Sequence, residues 1–286
     1  VITWTPTYTD VGEQTITVQV SDGELTDTQT FVLTVRTILK EGSFIRDDWH
    51  DAEKSLTNFD DDDLCWAAAL SNILAWGGWN ALNDSAQKIF EVFQEYWTDA
   101  AGLMSYGGEW WFNGTLPEAQ PGWATVDVPG GGGYYPDYDF FDYFAEDWAT
   151  WNADAGQWSD GSGLMGTIDE YLNNDYGVTL AAYADSGSGH ALTAWGYECD
   201  EFGDYTGIYV TDSDDYQTAL KLLPVSLVDD LWYLGGDYSG WFIGGAQALG
   251  LKPEELAVPE PGTCVLLVLG LLGLFALKRR LRYQRK

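Results

Sequence analysis

Basic residues are scarce in this chain: 13 lysines and arginines stand against 45 aspartates and glutamates in 286 residues, a formal charge of −32. Lys278, Arg279, Arg280, Arg282, Arg285 and Lys286 hold much of that small supply, so residues 1–277 are more acidic still. A surface of that sign repels phosphate backbones and anionic headgroups, which excludes nucleic acid as a partner. Histidine is scarcer, with only His50 and His190, and the cysteines are Cys65, Cys199 and Cys264. Thiols so few and so scattered build no disulfide scaffold, and two histidines without clustered cysteines build no zinc site. No metal and no other cofactor is expected. A long apolar run is lacking until residues 263–277. Val1 opens in mid-strand with neither an initiator Met nor a signal peptide, the pattern expected of an N-terminally truncated piece of a longer secreted protein.

Aromatic side chains are plentiful by contrast, with 15 Trp, 17 Tyr and 12 Phe. That density belongs to a folded core or a binding surface and not to a disordered acidic segment.

Residues 15–20 alternate with period two, residues 30–35 do so more loosely, and a turn-rich Ser-Asp-Gly-Glu-Leu-Thr-Asp joins them, as in a β-hairpin. The run from Trp4 to Asp27 resembles the C-terminal strands of bacterial Ig-like or cadherin-like surface repeats. That likeness implies a partial β-sandwich repeat over 1–36, too short for a whole sandwich. Trp66, Leu70, Ile73 and Leu74, then Ile89, Phe90, Phe93 and Trp97, recur at helical spacing, so 44–100 is predicted helical. The Gly-, Trp- and Asp-rich stretch 101–163 reads as long loops around a cleft, with a short helix near Phe140–Trp148. Residues 164–175 are predicted as helix, and 190–197 and 207–211 as strands. Helices followed by strands give an α+β domain over 37–250.

Residues 251–286 read as linker and tail. Val-Pro-Glu-Pro-Gly at 258–262 precedes the apolar run Thr263–Leu277 and then Lys-Arg-Arg-Leu-Arg. The run is shorter than the ~20 residues of a full spanning helix but reaches across a thinner bilayer with its bases snorkelling. Positive charge after it sets that end on the cytoplasmic side. Pro-Glu-Pro, an apolar helix and an Arg-rich end in this order resemble the PEP-CTERM sorting signal. The resemblance implies a Gram-negative exporter and an exosortase-type enzyme as partner. It further implies delivery to the cell surface or extracellular matrix, with a transient or permanent inner-membrane anchor through 263–277.

Cys65 stands where the acidic run Asp60–Asp63 gives way to Trp-Ala-Ala-Ala-Leu, a helix start. A thiol attacks as its thiolate, which a helix N-terminus and a nearby imidazolium both favour and neighbouring aspartates oppose. A buried structural cysteine is the alternative. His190 follows the flexible Ser-Gly-Ser-Gly loop 186–189 and opens an apolar strand, so it is expected at a strand end facing a cleft. His50, among acids in Asp-Asp-Trp-His-Asp-Ala-Glu, suits an exposed helix start. Asp212 follows the strand Ile208–Thr211. If that strand pairs with 190–197, Asp212 reaches the edge that holds His190 and orients the imidazole, with Asp214 assisting. A hairpin turn or a weak calcium loop is the other reading of Thr-Asp-Ser-Asp-Asp. Cys199 reads as a core residue, or as a disulfide partner of Cys65.

Three blocks now stand in order: Asp-Leu-Cys-Trp-Ala-Ala-Ala-Leu-Ser-Asn-Ile-Leu-Ala-Trp-Gly, Gly-His-Ala-Leu-Thr-Ala-Trp-Gly-Tyr-Glu, and Gly-Ile-Tyr-Val-Thr-Asp-Ser-Asp-Asp. Together they resemble the signature blocks of the streptococcal immunoglobulin G-degrading cysteine endopeptidases. The resemblance implies a papain-like α+β fold, Cys65 as nucleophile, His190 as base, Asp212 as orienting acid and Asp214 as auxiliary carboxylate. It also implies a lysine that holds the oxyanion, for which Lys54 is the nearby candidate. The expected activity is an exported cysteine endopeptidase acting on proteins or peptides. The alternatives are a non-enzymatic surface or matrix protein that binds glycans or other surfaces, and acyl transfer to amines through the same acyl-enzyme.

Overall fold

The computed structural model describes residues 12–21, 24–35, 42–55, 57, 61–81, 84–116, 118, 121–152 and 156–253. The apolar run 263–277, the Pro-Glu-Pro segment, Cys264, Asp60 and the basic tail lie outside the described residues. Among the described residues no helix is long and apolar enough to cross a membrane.

The alternating segments near the N-terminus form strands β1 (Gly12–Ser21) and β2 (Thr26–Val35), paired antiparallel with Ile16 opposite Phe31. Val20, Phe31, Val32 and Leu33 are exposed on this hairpin.

Further along the chain come β3 (Phe44–Ile45), helices α1 (Cys65–Trp76), α2 (Ala86–Tyr96) and α3 (Met104–Asn113), and strand β4 (Phe144–Trp148). A small hairpin, β5 (Thr150–Asn152) and β6 (Gln157–Ser159), leads into α4 (Leu164–Asn173). Six strands complete the domain: β7 (Tyr176–Ala184), β8 (Gly189–Cys199), β9 (Tyr205–Thr211), β10 (Lys221–Val228), β11 (Leu231–Leu234) and β12 (Trp241–Gly250). Each of the six pairs antiparallel with the next, and β12 returns to pair with β7, closing a barrel. β4 extends the sheet along the second half of β12, and β3 pairs with β8.

This overturns the expected papain-like α+β fold. Among the described residues the protein is mostly β, built on a closed six-stranded antiparallel barrel with four helices. Closure depends on pairings distant in sequence, such as Trp241 with Ala184, that local periodicity does not reveal. Residues 44–55, expected as helix, instead supply β3 and an irregular segment, and helix starts only at Cys65, after a turn at 61–64. The expected loop region 101–163 contains α3, and the helix expected near Phe140–Trp148 is a 3-10 turn at Phe140–Asp142 followed by β4.

Two large apolar clusters, and a small one around Trp195, Tyr209 and Leu220, hold the domain. One joins the barrel strands to α4 through Leu180, Leu192, Ile208, Leu223, Ile243 and Ile168. The other gathers α1, α2 and α3 around Trp66, Trp79, Phe90, Phe93, Trp110 and Trp111. α1 is buried from Trp66 to Ala75, which its small alanines permit, and it packs on β7 and β8 as well as on α2 and α3. The helix gives way to Gly77 and Gly78, the latter at φ 77°, a conformation that suits glycine. Trp79 then inserts fully buried, with rings of Phe112, Tyr135, Tyr138 and Tyr143 at centroid distances between 4.4 and 5.3 Å.

A bulge shapes the strand that carries His190. The register of β8 on β9 slips between Ala194 and Gly196, so Trp195 is the extra residue and its indole donates to Thr211 Oγ1 at 2.9 Å. A Cβ at Gly196 would lie 2.3 Å from the Phe44 carbonyl oxygen, so only glycine lets β3 approach there.

Candidate active site

Cys65 is the first residue of α1, half-buried, with its thiol free. As the first helical residue its backbone N–H has no carbonyl of the helix to donate to, so it points beyond the N-terminus with the positive end of the dipole. The thiol lines a cleft of about 470 Å³ together with Trp66, Leu103, Met104, Trp123 and His190.

His190 is the second residue of β8, opposite Ala182 on β7, at the strand end expected from the sequence. Asp212 directly follows β9, which pairs with β8 through Thr193 opposite Thr211. The pairing brings His190 Nε2 to 2.9 Å from Asp212 Oδ1, with the two side chains 7% and 5% exposed. Burial this deep keeps water from competing for either group, so the pair is held tightly. Asp212 is anchored further: the Asp214 N–H donates to Oδ1 at 3.0 Å and the Tyr238 hydroxyl donates to Oδ2 at 2.8 Å. With Nε2 engaged by Asp212, Nδ1 is the nitrogen left to face the thiol, and Asp214 Oδ2 lies 3.8 Å from it.

The electrostatics favour a charged imidazole. Burial works against the imidazolium, yet the hydrogen bond to Asp212, then Cys65 and the Asp214 charge, push His190 up to about 10. Burial likewise works against ionised Asp212, but His190, the Asp214 N–H and the Tyr238 hydroxyl outweigh it and hold the carboxyl below its ordinary value. At neutral pH the two form a buried ion pair.

Lys54 is buried, forms an ion pair with Asp214 and donates to the Asp62 carbonyl. Burial disfavours its ammonium, while Asp214, the Cys65 charge and Asp61 raise its pKa, so it stays charged beside the cleft. Asp214 is thus shared between Lys54 and the His190 edge and remains 43% exposed. Cys65, His190, Asp212, Asp214 and Lys54 are brought to one place.

The other histidine and the second buried thiol stand apart. His50 lies in the irregular segment that follows β3 and not at an exposed helix start. It is half-buried, its ring edge-on to Trp195, and burial lowers its pKa against the opposing charge of Asp48. Cys199 ends β8, at the opposite end from His190, and is buried as a free thiol, so no disulfide links it to Cys65.

His190, Asp212 and Asp214 each bring a ligand atom within 4.8 Å of the others, the one such group among the described residues. Their donor atoms are already engaged: Nε2 by Asp212, both Asp212 oxygens by hydrogen bonds, and Asp214 by the Lys54 ammonium. A cation there would face an ammonium and an imidazolium, so the arrangement suits a proton relay better than a metal centre.

Two residues that sequence reasoning passed over complete the site. Asn72, two turns after Cys65 on α1, donates to Thr193 Oγ1 at 2.9 Å and accepts from the Ala52 N–H at 2.8 Å. Its place in the Cys65 block, two turns on and so near the same helix face, was the available signal. Tyr238 carries no such signal, since it lies in a Gly-Asp-Tyr turn between β11 and β12.

No curated protein matches this chain. The resemblance to the immunoglobulin G-degrading endopeptidases therefore finds no support in these comparisons. A family model does match residues 257–282, described as the PEP-CTERM protein-sorting motif. The chain thus carries a PEP-CTERM protein-sorting motif, the mark of a protein exported and sorted to the cell surface of Gram-negative bacteria by an exosortase-type enzyme.

Proposed function

We propose that this chain is an exported cysteine hydrolase that cuts peptide bonds in proteins, with Cys65 as nucleophile, His190 as acid and base, and Asp212 as its orienting partner. The observation that carries this reading is the meeting, in one cleft, of a helix-start thiol with an imidazole held by a buried carboxylate. The order of the three sequence blocks supports the same reaction class; antibody specificity is not carried over.

The proposed steps use these groups in turn. The imidazolium of His190 stabilises the Cys65 thiolate, whose Sγ attacks the carbonyl carbon of a bound peptide. The oxyanion that forms faces the Cys65 N–H and the Lys54 ammonium. As the tetrahedral species collapses, Nδ1 gives its proton to the leaving amine. Acylation removes the thiolate and with it the Cys65 share of the force that raised His190. The neutral imidazole then takes a proton from water, which attacks the thioester and releases the acid. The sorting enzyme acts on the tail after export and frees residues 1–257 at the surface or in the matrix.

The test is labelling of the chain with an irreversible epoxide probe for thiol proteases, alongside casein digestion, across pH 5–9. Labelling at Cys65 that is lost in Cys65→Ala and strongly slowed in His190→Ala, with matching digestion, is expected. A Cys65 that reacts no faster than an ordinary thiol, with casein intact, would sink the proposal and favour a non-enzymatic surface-binding protein.

A further inference from the structure

Asp212 has two oxygens, and the reaction outlined above uses one of them. Oδ1 accepts from His190 Nε2 and from the Asp214 N–H, while Oδ2 accepts from Tyr238 at 2.8 Å. A carboxylate held at both oxygens cannot turn about its Cβ–Cγ bond without breaking one contact. The Tyr238 ring also lies parallel to the imidazole, 9° off plane with centroids 5.7 Å apart, and Trp241 packs edge-on behind it at 5.6 Å. One side chain therefore touches both members of the buried pair.

Its location separates it from substrate. Tyr238 and Trp241 wall a second hollow of about 420 Å³ that shares His190 and Asp214 with the Cys65 cleft but does not include Cys65. Lys221, Asp215 and Asp237 line the same hollow, and the Lys221 ammonium is 3.9 Å from Asp212 Oδ2 and 2.7 Å from Asp215. Burial, then the charge of Asp212, raises the Tyr238 pKa, so the hydroxyl keeps its proton and remains a donor.

We propose that Tyr238 is a positioning residue of the hydrolase, which fixes Asp212 through Oδ2 and seats the His190 ring by stacking on it. It rests on the reading of Cys65 and His190 given above and acts through Asp212 without touching substrate. Removing the hydroxyl leaves Asp212 one donor short, so its carboxyl binds a proton more readily and its orientation loosens. The groups that face Asp212 and share in its titration are His190, the Asp214 N–H, Tyr238, Lys221 and, through its charge, Glu53.

The experiment pairs kinetics with a direct titration. Tyr238→Phe keeps the ring and loses the hydroxyl. Its kcat is expected to fall about 10-fold with KM unchanged, and Tyr238→Ala to fall further as the stack goes. In a Cys65→Ala background, the midpoint of the Asp212 carboxyl, followed by 13C NMR, is expected to rise by about one unit in Tyr238→Phe. An unchanged midpoint overturns the proposal even if kcat falls, because loss of packing alone would slow the enzyme. An unchanged kcat overturns it as well. If the wild-type chain cuts no protein, the hydrolase reading fails by itself, and the Asp212 titration alone then decides whether Tyr238 positions the pair.

Discussion

Asn72 Nδ2 donates to Thr193 Oγ1 at 2.9 Å, tying the helix that starts at Cys65 to the strand that carries His190. Thr193 faces Thr211 across the β8–β9 pair, and Thr211 immediately precedes Asp212. The Thr211 hydroxyl donates to the His50 carbonyl at 3.0 Å and accepts from Trp195, while the Asn72 carbonyl oxygen holds the Ala52 N–H, two residues before Lys54. One buried amide thereby sets the spacing between the four segments that carry Cys65, His190, Asp212 and Lys54.

Asn72→Ala is expected to cost about 1–3 kcal/mol of stability, because it strands the Ala52 N–H and takes from the buried Thr193 hydroxyl its amide donor. Its kcat is expected to fall more than its KM rises, since the cleft surface is untouched while the spacing of the reacting groups loosens. Urea unfolding and steady-state kinetics on one preparation check both. A variant as stable and as fast as wild type would show that the packing of α1 sets the spacing without Asn72.

Lys54→Met keeps the length of the side chain and removes its charge. If the ammonium meets the oxyanion, kcat/KM falls about 10- to 100-fold while epoxide labelling of Cys65 persists. The Asp214 carboxylate, relieved of Lys54, then has only the His190 imidazolium beside it as a counter-charge. Loss of thermal stability with kcat/KM intact would assign Lys54 to holding Asp214 in place.

The aromatic cluster makes a prediction about folding alone. Trp79 is fully buried, and its indole donates to the Gly250 carbonyl at 2.8 Å, linking the end of α1 to the end of β12. Trp79→Ala is expected to lose about 3–5 kcal/mol, enough to unfold a marginal domain. Trp79→Phe keeps much of the ring packing and loses the donor, so a cost of about 1–2 kcal/mol is expected in denaturant titration. Equal losses in the two variants would mean that the hydrogen bond and not the packing carries the contact.

The parts of this protein that were readable from sequence are those whose signal is local. The apolar strand after the 186–189 loop and the 164–175 helix stand in the structure as β8 and α4: the Gly-rich loop marks where β8 begins, and Leu164, Met165, Ile168 and Leu172 give α4 a helical period. β12 was not readable: Phe242 to Gly250 is buried on both sides, so no alternation survives, and Gly244-Gly245 reads as a breaker. Gly245 belongs there because a Cβ would meet the Trp148 ring at 2.2 Å. α3 was hidden in the same way. Its Gly107 and Gly108 suggested loop, whereas they make room for Trp66 and Phe140, which a Cβ would meet at 2.5 and 2.3 Å. In the candidate site, Cys65, His190 and Asp212 were singled out by chemical scarcity and strand position. Tyr238 came from a turn whose place next to Asp212 depends on how β11 and β12 close the barrel.

Two carboxyls below the site give the chain a pH dependence of its own. Burial, then the Glu53 charge, raises Asp51 from its ordinary 3.8 to about 9. Burial, then the Asp215 charge, raises Glu53 from 4.5 to about 7. A side-chain hydrogen bond links Asp51 to Glu53, as expected where two carboxyls share a proton, and the Tyr216 N–H donates to Glu53. The unfolded chain releases these protons near pH 4 while the folded chain keeps them to about 7 and about 9. The folded state therefore binds more protons across that window, and its stability falls as pH rises from 4 towards 9. His190, raised to about 10, adds to the fall above its ordinary 6.5. Asp51→Asn removes the largest part without losing the acceptor that the Ala219 N–H uses at 3.0 Å. Its melting temperature is expected to exceed wild type by roughly 5 °C at pH 8 and by much less at pH 5. Calorimetry at the two pH values checks this. A difference that is the same at both would mean that Asp51 is ionised in the folded chain and that the shared proton does not exist.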